Sequence, residues 1–318
     1  MKKKLVFSVF LFLIISSCTN ETDTFPENPS EKMQEFVISI SNYAKKVKSD
    51  FIIVPQNGIE LAFNHLKYTG GVNTMYANAI DGIGIEALFY DRVELPKYDR
   101  LTMLQKISER KKVLVSDYIT NNSLVNDVIQ KNTNEGFICF PRLDYNYDYK
   151  FIPDFIVNEN VNDINTLSNA QNYLYLINGN DFSSKDDFIN NIANTNFDVV
   201  LIDLFFHSTA LTPEDLAKLK VKKNGGKRLV LSYINIGAAE KYRYYFNHEN
   251  WSINNPHWLV KPYKGYEDEI FVKFWATEWH QIIYGNNNSY IKKSIDAGFD
   301  GAYLDNVKAY HYLFSDEF

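Results

Sequence analysis

Cysteine is scarce in this chain of 318 residues: there are two, Cys18 and Cys139. That excludes a disulfide scaffold. The body has no basic run, and 33 Lys+Arg against 39 Asp+Glu leave a formal charge of −6. An acidic balance of this kind argues against nucleic acid as a partner. Beyond the first twenty residues no apolar run is long enough for a spanning helix. No Gly-rich phosphate loop follows any strand-like run, so nucleotide-binding α/β folds lose support. The six His are scattered, without HExxH or paired spacing, and no metal is expected. There is no GxSxG, and no Cys–His arrangement is suggested. No cofactor is expected.

What is present is an apolar content of 45%, ordinary for a globular protein, and 15% aromatics, with 22 Tyr and 23 Phe. Residues 1–17 read as a secretion signal: Lys2, Lys3 and Lys4 are followed by the apolar stretch Leu5–Ile15. Ile15-Ser16-Ser17-Cys18 resembles a bacterial lipobox, in which Cys18 becomes the lipidated first residue. The alternative is an ordinary cleaved signal with an incidental cysteine. Residues 18–30 are polar with two prolines and read as a flexible tether. These features place the protein outside the cytoplasm, on the membrane of a bacterial envelope. Residues 31–318 form the folded domain. Within it Cys139 sits in the apolar run Phe137–Phe140 and reads as a core residue.

Eight short apolar runs recur along that domain: Phe51–Pro55, Gly82–Phe89, Lys112–Tyr118, Gly136–Leu143, Asn172–Ile177, Phe197–Leu204, Arg228–Ile234 and Gly298–Leu304. Most are apolar nearly throughout, as in parallel strands buried on both faces. Helical patterns lie between them, at Ile59–Lys67, Arg100–Glu109, Ser123–Lys131 and Lys185–Ala193. Another starts at Thr212-Pro213, with Thr as N-cap and Pro in the first turn. The link 144–171 has a weak helix or none. The link 235–297 is about twice the usual length and holds all four Trp; Ala276–Ala297 looks helical, with a break at 285–288. A further helix precedes the first strand, with Met33, Phe36, Val37, Ile40, Tyr43, Ala44 and Val47 on one face. The pattern predicts a single (β/α)8 barrel with a long insertion after strand 7, the N-terminal helix covering strand eight. The rival is an open doubly wound sheet.

In such barrels chemistry sits where strands run into the following loops. Those positions hold Asn57, Glu86, Asp117, Arg142, Asp144, Asp203, Tyr233, Asn235, Asp305 and Asn306, with Glu240 and Arg243 just beyond strand seven. A lone strand-end Asp is usually a cap or a loop ion pair. Asp203, however, precedes two Phe rather than a helix start. Glu86 lies in an apolar run, where an unpartnered carboxylate is costly. Several carboxylates on one rim raise one pKa and leave another ionised, which makes a proton donor and a nucleophile from one residue type. The alternating Tyr145, Tyr147 and Tyr149, and Tyr242, Tyr244 and Tyr245, serve equally as core packing or as a sugar platform.

Four segments, GFDGAYLDNVKAY (298–310), SYINIGAAEKYR (232–243), FIIVPQNG (51–58) and IDGIGIEALFY (80–90), resemble glycoside hydrolase family 114, the endo-α-1,4-polygalactosaminidases and related barrels. Relative to that family the segment order is circularly permuted. The resemblance implies Asp305 as nucleophile and Glu86 as acid/base. Asp203, Glu240, Asn57, Tyr233, Asp117, Asn306 and Arg243 would then position the sugar. It implies an α-linked galactosamine-containing polysaccharide as substrate. Strands eight and two flank a single strand, so converging carboxyls about 5–5.5 Å apart would give a retaining reaction and a separation beyond about 6.5 Å an inverting one. Lys308 and Ala238 depart from the family's usual Asp and Glu, which keeps open an N-acetylated or different glycan and a non-catalytic glycan-binding lipoprotein. A metal-dependent deacetylase is a third option.

Overall fold

The computed structural model describes residues 25–95 and 99–315. The signal segment, Cys18 and most of the tether lie outside the described residues. Eight parallel strands organise the chain: β1 (Ile52–Pro55), β2 (Gly82–Glu94), β3 (Lys112–Ile119), β4 (Ile138–Cys139), β5 (Tyr173–Leu176), β6 (Val199–Asp203), β7 (Leu229–Asn235) and β8 (Gly301–Asp305). One sheet runs β5-β6-β7-β8-β1 and a second runs β2-β3-β4. The first and last strands are neighbours, Ile52 facing Gly301 and Pro55 facing Leu304. The two sheets meet at β1 and β2 through a parallel bridge between Gln56 and Gly84, with Asn57 N donating to Gly84 O at 2.7 Å and Asp81 N to Ile53 O at 2.8 Å.

The strands thus lie side by side in barrel order, but hydrogen-bonded closure is not found: among the described residues no ladder joins β4 to β5. The edges meet through side chains instead, the Phe140 and Tyr173 rings lying 5.7 Å apart. The cause is local. Pro141 has no N–H to donate, so the expected strand 136–143 is cut into β4 and the separate pair Arg142–Leu143 beside β3.

Helix α1 (Pro29–Val47) buries Met33, Phe36, Val37, Ile40 and Ala44, while Val47 is exposed. It is tied to both flanks of the β1–β8 seam, through Ser41 Oγ to Ala79 O at 2.6 Å and Lys48 Nζ to Phe299 O at 3.2 Å. The expected helix 59–67 is instead a series of 3-10 turns. The real α2 is Thr74–Ala79, N-capped by the Asn73 side chain. Helices α3 (Asp99–Ser108), α4 (Val125–Asn134), α5 (Lys185–Ala193) and α6 (Pro213–Leu219) follow the sequence pattern. Thr212 and Asp215 form a capping box at α6. Between β7 and β8 the chain first builds a small antiparallel sheet from Ala238–Glu240, Leu259–Tyr263 and Tyr266–Val272. Then come α7 (Thr277–Ile283) and α8 (Tyr290–Ala297), and after β8 the short α9 (Ala309–Tyr312). No described helix is long and apolar enough to cross a membrane.

Candidate active site

Beneath the C-terminal ends of the strands the interior is packed with tyrosines. Tyr149 stacks on Tyr175 with centroids 3.8 Å apart, and Tyr175 meets Tyr303 edge-on at 5.5 Å. All three are buried. Tyr175 donates to Gln56 Oε1 at 2.8 Å. Gly84 makes room for Tyr303: a Cβ there would lie 1.9 Å from the Tyr303 hydroxyl. This floor excludes water from the polar groups above it.

Asp305 ends β8. Its Oδ2 accepts from the Tyr233 hydroxyl at 2.5 Å and its Oδ1 from Asn306 N at 2.6 Å. Burial pushes its pKa up to about 7, and the negative charge of Glu86 adds to the shift against these two donors. Glu86 reaches the same region from β2. Its Oε1 accepts from Tyr149 at 2.6 Å and lies 3.4 Å from the Arg142 guanidinium. Its Oε2 is 3.5 Å from Asn57 Nδ2, while Asn57 Oδ1 accepts Glu86 N at 3.1 Å. Asn57 has a left-handed φ of 61°, which turns its amide back toward β2. The expected residues Asp305, Glu86, Asn57, Tyr233 and Asn306 are therefore brought together.

A second group sits on the β6–β7 side. Arg243 bridges Asp203 at 2.7 Å and Glu240 at 2.6 Å, and Tyr242 donates to Glu240 at 2.5 Å. Arg243 and Glu240 are buried, so this trio is an internal ion-pair network. Burial and the charge of Glu240 raise the Asp203 pKa, while Arg243 opposes them.

Asp117 stands apart. It is 0% exposed, and its Oδ1 accepts Leu88 N, Phe89 N and Tyr90 N at 2.7, 2.8 and 3.1 Å, while Oδ2 accepts from Asn132 at 2.8 Å. No acceptor faces a sugar. Asp117 instead collects the N–H groups released by the bulge that begins after Glu86, where Ala87 has φ 50°. Tyr149, read as a platform candidate, turns inward to Glu86. Tyr145, Tyr147, Tyr242 and Tyr244 are exposed.

The sequence reading passed over Glu269. It lies on the strand Tyr266–Val272, across from Glu240. Its Oε2 accepts from Asn235 Nδ2 at 2.9 Å and faces Asn306 Nδ2 at 3.5 Å. Burial, with the charges of Glu240 and Asp305, pushes its pKa up to about 8. The available signal was the Lys264-Gly265 turn between Tyr263 and Tyr266, which marks 259–272 as a hairpin. Among the described residues no group of three or more His, Cys, Asp or Glu is arranged to hold a metal ion.

The family model for glycoside-hydrolase family GH114 matches residues 165–317. That stretch contains Asp203, Glu240, Glu269 and Asp305, whereas Asn57 and Glu86 precede it. Three relatives are similar over part of their length. An uncharacterized protein of Methanocaldococcus jannaschii is 36% identical over 157 residues, 48% of this chain and 41% of the relative. Uncharacterized proteins of Thermotoga maritima (32% over 121 residues, 38% and 36% of the two chains) and Deinococcus radiodurans (29% over 122 residues, 38% and 37%) also match. The matches span about two fifths of each of these curated relatives. Through residues 165–317 this chain belongs to glycoside-hydrolase family GH114.

Proposed function

We propose that the protein is a glycosidase that cleaves an α-linked galactosamine-containing polysaccharide, with Asp305 and Glu86 as its carboxyl pair. The observation that carries this reading is the pair itself. The two groups come from strands separated only by β1, and the charge of Glu86 helps hold the Asp305 proton to about pH 7. Asp305 acts as nucleophile and Glu86 as acid/base, as in double displacement. In the empty mouth Asp305 is protonated below about pH 7. A positive charge arriving there, on an amino sugar or at the developing oxocarbenium centre, draws that proton off. The Tyr233 hydroxyl and Asn306 N–H then hold the carboxylate as it attacks the anomeric carbon. The proton drawn off Asp305 passes to Glu86, which gives it to the departing glycosidic oxygen and later takes one from the water that hydrolyses the glycosyl ester.

Several observations support placing this activity on a permuted barrel. The family match is confined to 165–317, the strands lie in barrel order, and β1 pairs with β8. The same reading has Cys18 lipidated and the domain exported to a bacterial envelope membrane.

The test is release of reducing ends from partly deacetylated α-1,4-galactosaminan. Asp305→Asn and Glu86→Gln each lower kcat/KM by at least about 1,000-fold. Equal release by wild type and Asp305→Asn removes Asp305 from the mechanism. The pair needs the one proton that Asp305 holds to about pH 7, so kcat/KM falls as pH rises past about 7; a rise through that pH overturns this proton transfer. A second reading, a glycan-binding protein without turnover, is favoured by Lys308, a cation in the turn directly after Asp305 and Asn306. Binding by wild type without release selects it.

A further inference from the structure

The carboxylates of the mouth outnumber its cations. Arg243 is committed to Asp203 and Glu240, and Arg142 lies 3.4 Å from Glu86. Asp305 and Glu269 have no cation within 4 Å among the described residues. Asp305 has its two donors, Tyr233 and Asn306 N–H. Glu269 differs: Oε2 is held by Asn235 and Asn306, while Oε1 accepts nothing among the described residues.

The frame that holds Glu269 is rigid. Asn235 Oδ1 accepts Ala238 N at 2.9 Å, Gly237 N at 3.2 Å and Asn306 Nδ2 at 3.0 Å, which locks both amides. Gly237 has no space for a side chain, because a Cβ would lie 2.3 Å from Asn306 O. The same two asparagines border the reacting carboxyl: Asn235 is the register partner of Asp305 on β7, and Asn306 follows it and gives it its N–H. Glu269 is thus fixed relative to Asp305 through one oxygen and open at the other. That suits recognition of one donor group on a sugar bound over Asp305.

We propose that Glu269 is the specificity-determining residue of this mouth and takes the ammonium group of a 2-amino sugar through its open oxygen. The proposal rests on the glycosidase reading above and adds to it the group that reads substrate charge. An N-acetylated sugar carries no charge for Glu269 to meet. Burial agrees with this role, because it holds a proton on Glu269 up to about pH 8 in the empty mouth. An arriving ammonium displaces that proton, so binding at neutral pH releases it to solvent.

The experiment compares affinities by calorimetry for an α-1,4-linked galactosamine trimer and its fully N-acetylated form, using the full chain. The measured quantity is the ratio of the two affinities. For wild type the ratio favours the free amine, and the heat of binding changes with the ionisation enthalpy of the buffer. Glu269→Gln lowers the ratio by about 10- to 100-fold, the scale of one charge-assisted hydrogen bond. Glu269→Asp keeps the charge and retains most of the ratio, which separates charge reading from loss of fold. A Glu269→Gln ratio within twofold of wild type overturns the proposal, as does absence of any preference in wild type. A wild type that prefers the amine but releases no reducing ends sinks the hydrolase reading and leaves the role of Glu269 standing. Hydrolysis with an unaltered ratio in Glu269→Gln does the reverse.

Discussion

Asp305 and Glu269 are carboxyls that the fold keeps protonated, to about pH 7 and about pH 8. In both, loss of water is the largest cause and neighbouring negative charge adds to it. The unfolded chain titrates these groups near 4. Between those limits the folded state binds protons that the unfolded state has released, so their contribution to stability falls as pH rises from about 4 toward 8. This is opposite in sign to a salt-bridged Asp. Glu269→Gln removes one titration and should melt roughly 2–4 °C above wild type at pH 8.5. The gap should shrink toward pH 5, where the native carboxyl is already neutral. Scanning calorimetry at the two pH values checks this; a variant that melts below wild type at pH 8.5 contradicts it.

At the scale of elements, one strand shows how chemistry and support are divided. β2 pairs regularly with β3 from Gly82 to Glu86, then loses register until Asp91. The bulge leaves three N–H groups without a ladder, and Asp117 on β3 takes all three. Arg100 closes the other side, donating to the carbonyls of Glu86 and Ala87. Asp117→Asn loses the charge that collects these groups, and its new amide points donors at donors. The expected result is a fall in kcat of about 10- to 100-fold with KM little changed, because Glu86 is displaced rather than removed. Steady-state kinetics on the galactosaminan substrate separate the two parameters. Carboxylates at the opposite strand ends have a different task. Asp81, Asp198 and Asp300 each precede a strand, accept a backbone N–H and pair with Lys45, Lys222 and Lys220 at 2.9, 2.6 and 2.6 Å. They staple strand starts, whereas Asp305 and Glu269 at the other end pair with no lysine among the described residues.

Across the whole molecule, β1 near one end of the chain and β8 near the other complete a continuous wall. The weak point lies elsewhere, between β4 and β5, where no ladder forms and the seam is bridged by ring contacts and by one backbone bond beyond the strands, Asn178 N to Tyr149 O at 3.2 Å. Opening there breaks no ladder. Amides of β4 and β5 should therefore exchange with deuterium faster than those of β8, which is paired on both sides. Hydrogen exchange read by mass spectrometry checks the order; equal protection would show that the seam is held as firmly as the paired strands.

Much of this was readable in the residues alone. Strand number and order follow from apolar runs whose composition suits burial on both faces, and the Thr212-Pro213 start and the 285–288 break are set by local capping and turn chemistry. The strand-end positions of Asp305, Glu86 and Asn57 follow from the same pattern. The sequence by itself did not decide where each carboxyl faces. Asp117 and Asp305 are both strand-end aspartates, yet one is enclosed by a bulge and the other lies at the mouth. Glu269 is one acid among Glu267, Asp268 and Glu269 until the hairpin folds back beside Asn235. Which oxygen keeps a free lone pair, and which proton survives at neutral pH, depends on distances between residues far apart in the chain, and only tertiary packing sets those distances.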